Sequence, residues 1–109
     1  MRIMRIIVFF DLPVKKKKDR KAYAEFRRFL LNDGYDLIQY SVYARLCGGL
    51  DRVETHLRRL KRNLPPKGNV RCMIVTEKQY ASMMVLVGEK TLSEKICETP
   101  NLPFGDVEI

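Results

Sequence analysis

Arg5-Ile6-Ile7-Val8-Phe9-Phe10-Asp11-Leu12-Pro13 is the stretch on which the fold turns. Residues 3–10 are nearly all apolar, which suits a central strand covered on at least one face. The strand runs into a carboxylate, Asp11, and Pro13 then forces the backbone to turn. Four consecutive lysines, Lys15 to Lys18, follow. An anionic polymer drawn to them would find an acid beside it. Nucleic acid is the partner this suggests, with phosphodiester chemistry behind it.

Outward from this strand, Asp19 is the expected N-cap of a helix from about Arg20 to Asn32. Tyr23, Phe26 and Leu30 form its buried stripe, and Arg20, Arg27 and Arg28 lie off it. Gly34 suits a left-handed cap. Residues 36–46 are rich in aromatic and branched side chains and read as extended. They form one long kinked strand or two short ones with a break near Tyr40-Ser41. A second helix is expected from about Asp51 to Asn63, with Val53, Leu57, Leu60 and Leu64 inward. Arg52, Arg58, Arg59, Lys61 and Arg62 take the remaining arc. Val70 to Thr76 reads as a strand, Thr76 to Tyr80 as the start of a helical turn, and Met83 to Val87 as a further extended piece. This order predicts an α+β, ferredoxin-like sandwich, with an antiparallel sheet and two helices on one face. Residues 1–109 make one domain, with 89–109 as a C-terminal tail or swapped strand.

Composition narrows the function. Hydrophobic residues are 46% and charged residues 31% of 109, the balance of a globular chain. No apolar run approaches the roughly 20 residues of a membrane span, and the five apolar residues before Asp11 are too few for a signal-peptide core. A cytoplasmic protein without a membrane partner is expected. Cys47, Cys72 and Cys97 are far apart, and His56 is the only histidine, which argues against a zinc site or a disulfide framework and for reduced, buried thiols. The net charge of +8 is uneven: residues 1–71 hold 18 Lys/Arg against 7 Asp/Glu, and residues 72–109 hold 3 against 6. A basic body points to a polyanion. Lys15, Lys16, Lys17, Lys18, Arg20, Arg27, Arg28, Arg58, Arg59 and Arg62 are the expected nucleic-acid contacts.

Asp11 is the only acid at a strand end beside the basic run. It either ligates a divalent metal that activates water or hydrogen-bonds the turn before Pro13. A twofold dimer would supply two such carboxylates. Ser41 has no evident base partner in His56, so it hydrogen-bonds backbone or a metal-bound water. Tyr40 and Tyr43 read as sheet packing. The strand at 70–75 has no aromatic of the kind an RNA-recognition module displays. A metal-dependent endonuclease and a structural DNA-binding adaptor both remain open, with a small RNA-binding regulator behind them.

Val8 to Pro13, the helix with Phe26-Arg27-Arg28-Phe29-Leu30, Gly34-Tyr35, Gln39 to Tyr43, and Lys67-Gly68-Asn69-Val70 leading to Val75 to Gln79 together resemble the second CRISPR-associated protein family, the small adaptation subunit. They are most similar to its type II branch, over roughly residues 1–88. The resemblance implies a ferredoxin-like homodimer in which Asp11 faces its symmetry mate and binds Mg²⁺ or Mn²⁺. It implies metal-dependent nuclease activity on RNA or DNA, with Phe10 and Ser41 at the site beside Asp11. It also implies assembly with the CRISPR integrase subunit, the dimer bridging integrase dimers and holding double-stranded DNA. In such proteins the tail, here Phe104 to Ile109, adds a strand to the partner. One departure is Leu37, where some members carry an arginine associated with catalysis.

Overall fold

The computed structural model describes residues 2–90. The expected tail strand, Phe104 to Ile109, and Cys97 lie outside the described residues. The elements are β1 (Met4–Asp11), α1 (Lys17–Asn32), β2 (Asp36–Gln39), β3 (Val42–Cys47), α2 (Leu50–Arg62), β4 (Asn69–Thr76) and α3 (Glu77–Ala81). The four strands make one antiparallel sheet in the order β2-β3-β1-β4, the ferredoxin-like arrangement.

Alternation along β1 sets up two faces. Met4, Ile6, Val8 and Phe10 point into the main core with Phe26, Leu30, Val53 and Leu60 from the two long helices. The Phe10 ring meets Phe26 edge-on at 5.2 Å and stacks on Tyr43 at 5.6 Å. Ile7 faces the other way, into a smaller cluster with Ala44 and Tyr80. That second face is covered by α3. Arg5, only 3% exposed, anchors it through Nε and a terminal nitrogen donated to the two Glu77 carboxylate oxygens at 2.7 and 3.1 Å. The same guanidinium lies 4.3 Å from the Tyr80 ring centre. A reciprocal Thr76–Gln79 capping box starts α3 at the end of β4.

The break at Tyr40-Ser41 divides two short strands, with Ser41 at φ 60 and a register shift between Leu37 and Gln39. Gly34, at φ 93, follows α1 and leaves room for the Arg45 guanidinium, which a side chain there would strike. Four expectations need correction. Lys16, not Asp19, precedes α1, and no side chain caps it; Asp19 sits inside the first turn, where its charge complements the helix dipole. Leu64 is 47% exposed, because α2 ends at Arg62 before a further turn could carry it inward. Met83 to Val87 form no strand and are exposed. Cys72 is exposed, because β4 is an edge strand that the long helices leave uncovered.

Candidate nucleic-acid interface and active site

β1 delivers Asp11 to the face turned away from the two long helices. Asp11 follows Phe9 by two residues, so the two side chains share that face, opposite to Phe10 and Leu12 in the core. The register brings β4 alongside: Asp11 pairs with Asn69, and Phe9 with Arg71. Directly opposed residues share a face, and a diagonal neighbour lies about 7–8 Å away, within reach of a long side chain. Asp11, Asn69 and Arg71 therefore meet at one corner of the sheet. Tyr40 and Ser41 close the corner from the β2–β3 turn, around a cavity of 260 Å³. The Phe10 N–H donates to the Ser41 carbonyl at 3.1 Å and fixes the turn against β1.

Gly68 sets the other wall. Its φ is 94, and a Cβ there would come within 2.7 Å of the Asp11 carbonyl oxygen and of a Leu12 methyl. Only glycine lets the β4 entry loop press this closely on the backbone that carries Asp11. Beneath the turn, the Tyr23 phenol is pushed up by burial. The Ser41 side chain, as a hydrogen-bond partner, pulls it back, while the Tyr40 side chain raises it. Tyr40 is nonetheless 81% exposed, and Tyr43 is buried. Of the two tyrosines read as sheet packing, only Tyr43 is packed.

Asp11, Phe10 and Ser41 thus line one cavity. The Phe10 ring lies on the opposite face, where it is core. Asn69 and Arg71 were missed by sequence reasoning. Their place depends on the β1–β4 register, and the only signal was a basic residue one alternation step from the start of that strand. For a divalent cation, one chain offers the Asp11 carboxylate with the Asn69 side-chain oxygen and the Ser41 hydroxyl nearby. No group of three or more His, Cys, Asp or Glu side chains gathers among the described residues. This donor set fits Mg²⁺, which keeps several waters and takes one or two carboxylates. It does not fit a metal that needs a full protein cage.

The basic residues divide. Lys15 to Lys18, Arg27, Arg28 and Arg62 are exposed. Arg27 and Arg28 border a groove on α1 beside Leu31 and Asn32. Arg20 is exposed, but donates to the Val14 and Lys15 carbonyls at 3.1 and 2.8 Å, which holds the lysine loop against α1. Arg58 faces Glu54 across a helix turn at 3.6 Å. Arg59 pairs with the buried Asp33 and ties α2 to the end of α1. Its charge is already neutralised there, so it has least to offer a phosphate.

Residues 4–83 match the family model described as CRISPR associated protein Cas2. The chain belongs to the Cas2 family. It is 60% identical over 92 residues to the CRISPR-associated endoribonuclease Cas2 of Acidovorax ebreus, covering 84% of this chain and 90% of that one. The protein of the same name from Campylobacter jejuni is 40% identical over 107 residues, covering 98% and 75%. That of Ligilactobacillus salivarius is 46% identical over 87 residues, covering 80% and 86%. Among the described residues, no helix is long and apolar enough to cross a membrane.

Proposed function

We propose that this chain is a nuclease subunit of CRISPR adaptation, working as a homodimer that holds nucleic acid across the paired Asp11 corners. The observation that carries the proposal is the exposed Asp11, set by β1 and Gly68 on the face away from the two long helices, within a strongly basic chain. The relatives' name, endoribonuclease, supports phosphodiester cleavage. A divalent cation, when bound, would polarise water and screen the phosphate. Asp11 would hold that cation, Asn69 and Ser41 would orient its water shell, and the lysine loop would draw in the backbone.

The dimer is supported by apolar surface. Met73 and Ile74 on the edge strand β4 are 51% and 39% exposed, and Leu86 and Val87 are 72% and 95% exposed. An edge that is unpaired among the described residues and carries apolar side chains calls for a partner. Sedimentation at micromolar concentration should give about twice the 12.8 kDa chain mass. A clean monomer would remove the paired-carboxylate site.

Cleavage is tested by titrating Mg²⁺ or Mn²⁺ into wild type and Asp11→Asn on labelled RNA and DNA. Asp11→Asn should lose cleavage and keep nucleic-acid binding. Equal cleavage by both would place the chemistry elsewhere. A second reading, a DNA-holding adaptor that bridges integrase dimers, is favoured by the exposed Arg27, Arg28 and Arg62, which lie on helices rather than in the cavity wall. Binding of duplex DNA with a steep salt dependence, and co-purification with the integrase, would support it whatever the outcome for cleavage.

A further inference from the structure

We propose that Tyr40 and Arg71 form a subsite for one unpaired nucleotide at the mouth of the Asp11 cavity, the Tyr40 ring stacking on its base and the Arg71 guanidinium holding its phosphate. The inference rests on reading this corner as a nucleic-acid site and names residues that such a reading alone does not require.

Tyr40 carries the first half. An aromatic ring that is 81% exposed forgoes the burial that usually places such a residue. It stands in a two-residue turn between Gln39 and Val42, and the next residue, Ser41, has the positive φ of 60 that L-residues seldom adopt. The Phe10 N–H, donated to the Ser41 carbonyl at 3.1 Å, pins this turn to β1, so the ring is presented from a held backbone while its surface is open to solvent. Part of the ordering cost of binding is thereby already met. A stacking platform needs an exposed ring on a held backbone, and every base has a π-face to meet it.

Arg71 carries the second half. It is exposed, it lies one diagonal step from Asp11 on the same sheet face, and it makes no ion pair among the described residues. In this it differs from Arg5, Arg58 and Arg59, each of which faces a carboxylate. A guanidinium fork suits two oxygens of one phosphate. The cavity between the two side chains, 260 Å³, falls just below the range for small-ligand sites, about 300–1,000 Å³, which favours one nucleotide over a duplex segment. A base can reach the Tyr40 face only when it is not stacked in a helix, so the subsite selects unpaired positions.

Binding is measured in the Asp11→Asn background, so that cleavage does not interfere. The probes are a short single strand carrying 2-aminopurine and a blunt duplex of the same length. Tyr40→Ala should weaken single-strand binding about 5- to 150-fold, from the stacking energy per base, and abolish the change in 2-aminopurine fluorescence. Duplex affinity should stay within about twofold, since phosphate contacts there come from other residues. Tyr40→Phe, which keeps the π-face, should recover most of the single-strand affinity. Arg71→Ala should lower the single-strand salt slope by about one phosphate contact, and Arg71→Lys should keep the slope with weaker binding. Unchanged single-strand affinity and fluorescence in Tyr40→Ala would overturn the subsite. Failure of the Asp11→Asn protein to bind either probe would instead overturn the nucleic-acid reading of the whole corner.

Discussion

Gly68→Ala is the substitution that most directly probes how Asp11 is held. An L-residue forced to a left-handed φ costs about 1–2 kcal/mol. At Gly68 the new methyl would also lie 2.7 Å from the Asp11 carbonyl oxygen, which is backbone and cannot swing aside. Overpacking of this kind costs about 1–3 kcal/mol more. Restricting the unfolded chain returns about 0.4–1 kcal/mol, leaving a net loss of roughly 1.5–4 kcal/mol. Gly88→Ala is the internal control. Its φ is 104, but among the described residues nothing lies within 4 Å of the added carbon, so only the backbone term applies. The two variants should therefore differ by about 1–3 kcal/mol, each kcal/mol being worth about 4–8 °C in Tm for a domain of this size. Thermal and urea melts at one fixed protein concentration read the difference. Gly68→Ala should also lower Asp11-dependent cleavage per folded molecule, because the strain is relieved by moving the end of β1. Equal losses from both substitutions would refute the reasoning, since the approach of the β4 loop to Asp11 would then have no energetic weight.

Tyr35 is buried with no hydrogen-bond partner for its hydroxyl among the described residues, and burial pushes its pKa up to about 12. Tyr35→Phe should leave urea stability within about 0.5 kcal/mol of wild type or raise it, since an unpaired buried polar group is removed; a loss above about 1 kcal/mol would show that the hydroxyl has a partner. His56 lies 3.8 Å from Asp33, yet burial first, then the charges of Arg45 and Arg52, lower its pKa. The unfolded chain then binds the proton more readily, so the stability tied to neutral His56 is present above about pH 6.5 and is lost as pH falls from there toward the folded-state pKa. Urea melts at pH 7.5 and 5.5 should show that loss in wild type and a smaller one in His56→Gln; identical slopes would be evidence against it. Glu77→Gln should cost about 2–3 kcal/mol, below the usual 3–5 for a broken buried pair because the Tyr80 ring still faces Arg5. Chemical denaturation of the variant checks this, and a loss under about 0.5 kcal/mol would mean that the pair is surface-like.

What could be read from the chain was whatever a local pattern records. The apolar run of residues 3–10, the arginine-rich helix with its Phe26 and Leu30 stripe, and Gly34 after that helix each carry their own signal, and together they imply the observed sheet with two helices on one face. The turn at Tyr40-Ser41 was visible as a break in an aromatic stretch, though not the exposure of Tyr40, which depends on what packs nearby. The missed features depend on pairing across the chain. Nothing near Arg71 or Asn69 in sequence indicates that they border Asp11; the β1–β4 register does that, and it is set by the fold as a whole. Arg59 sits on a helical arc with Arg58 and Arg62, and no periodicity separates the residue tied to Asp33 from Arg62, which pairs with no carboxylate among the described residues.

The face turned away from the two long helices explains why the site lies where it does. Arg5, Ile7, Phe9 and Asp11 form one row along β1, and their character changes steadily from one end to the other. Arg5 and Ile7 are buried by a five-residue helix that starts as soon as β4 ends, locked by the Arg5–Glu77 pair and the Tyr80 ring. That helix is too short to reach the other end of the strand, where Phe9 is half-buried and Asp11 exposed. Full cover would have placed the Asp11 carboxylate in a dry core without a cation, at a cost of several kcal/mol. No cover at all would have left Ile7 and Ala44 in water. Stopping the cover after Ile7 avoids both costs and leaves an acid, an arginine and an exposed tyrosine around one opening. The site is thus the part of the sheet that α3 does not reach, and a substitution that unseats α3, such as Glu77→Gln, should reach it only through the loss of overall stability.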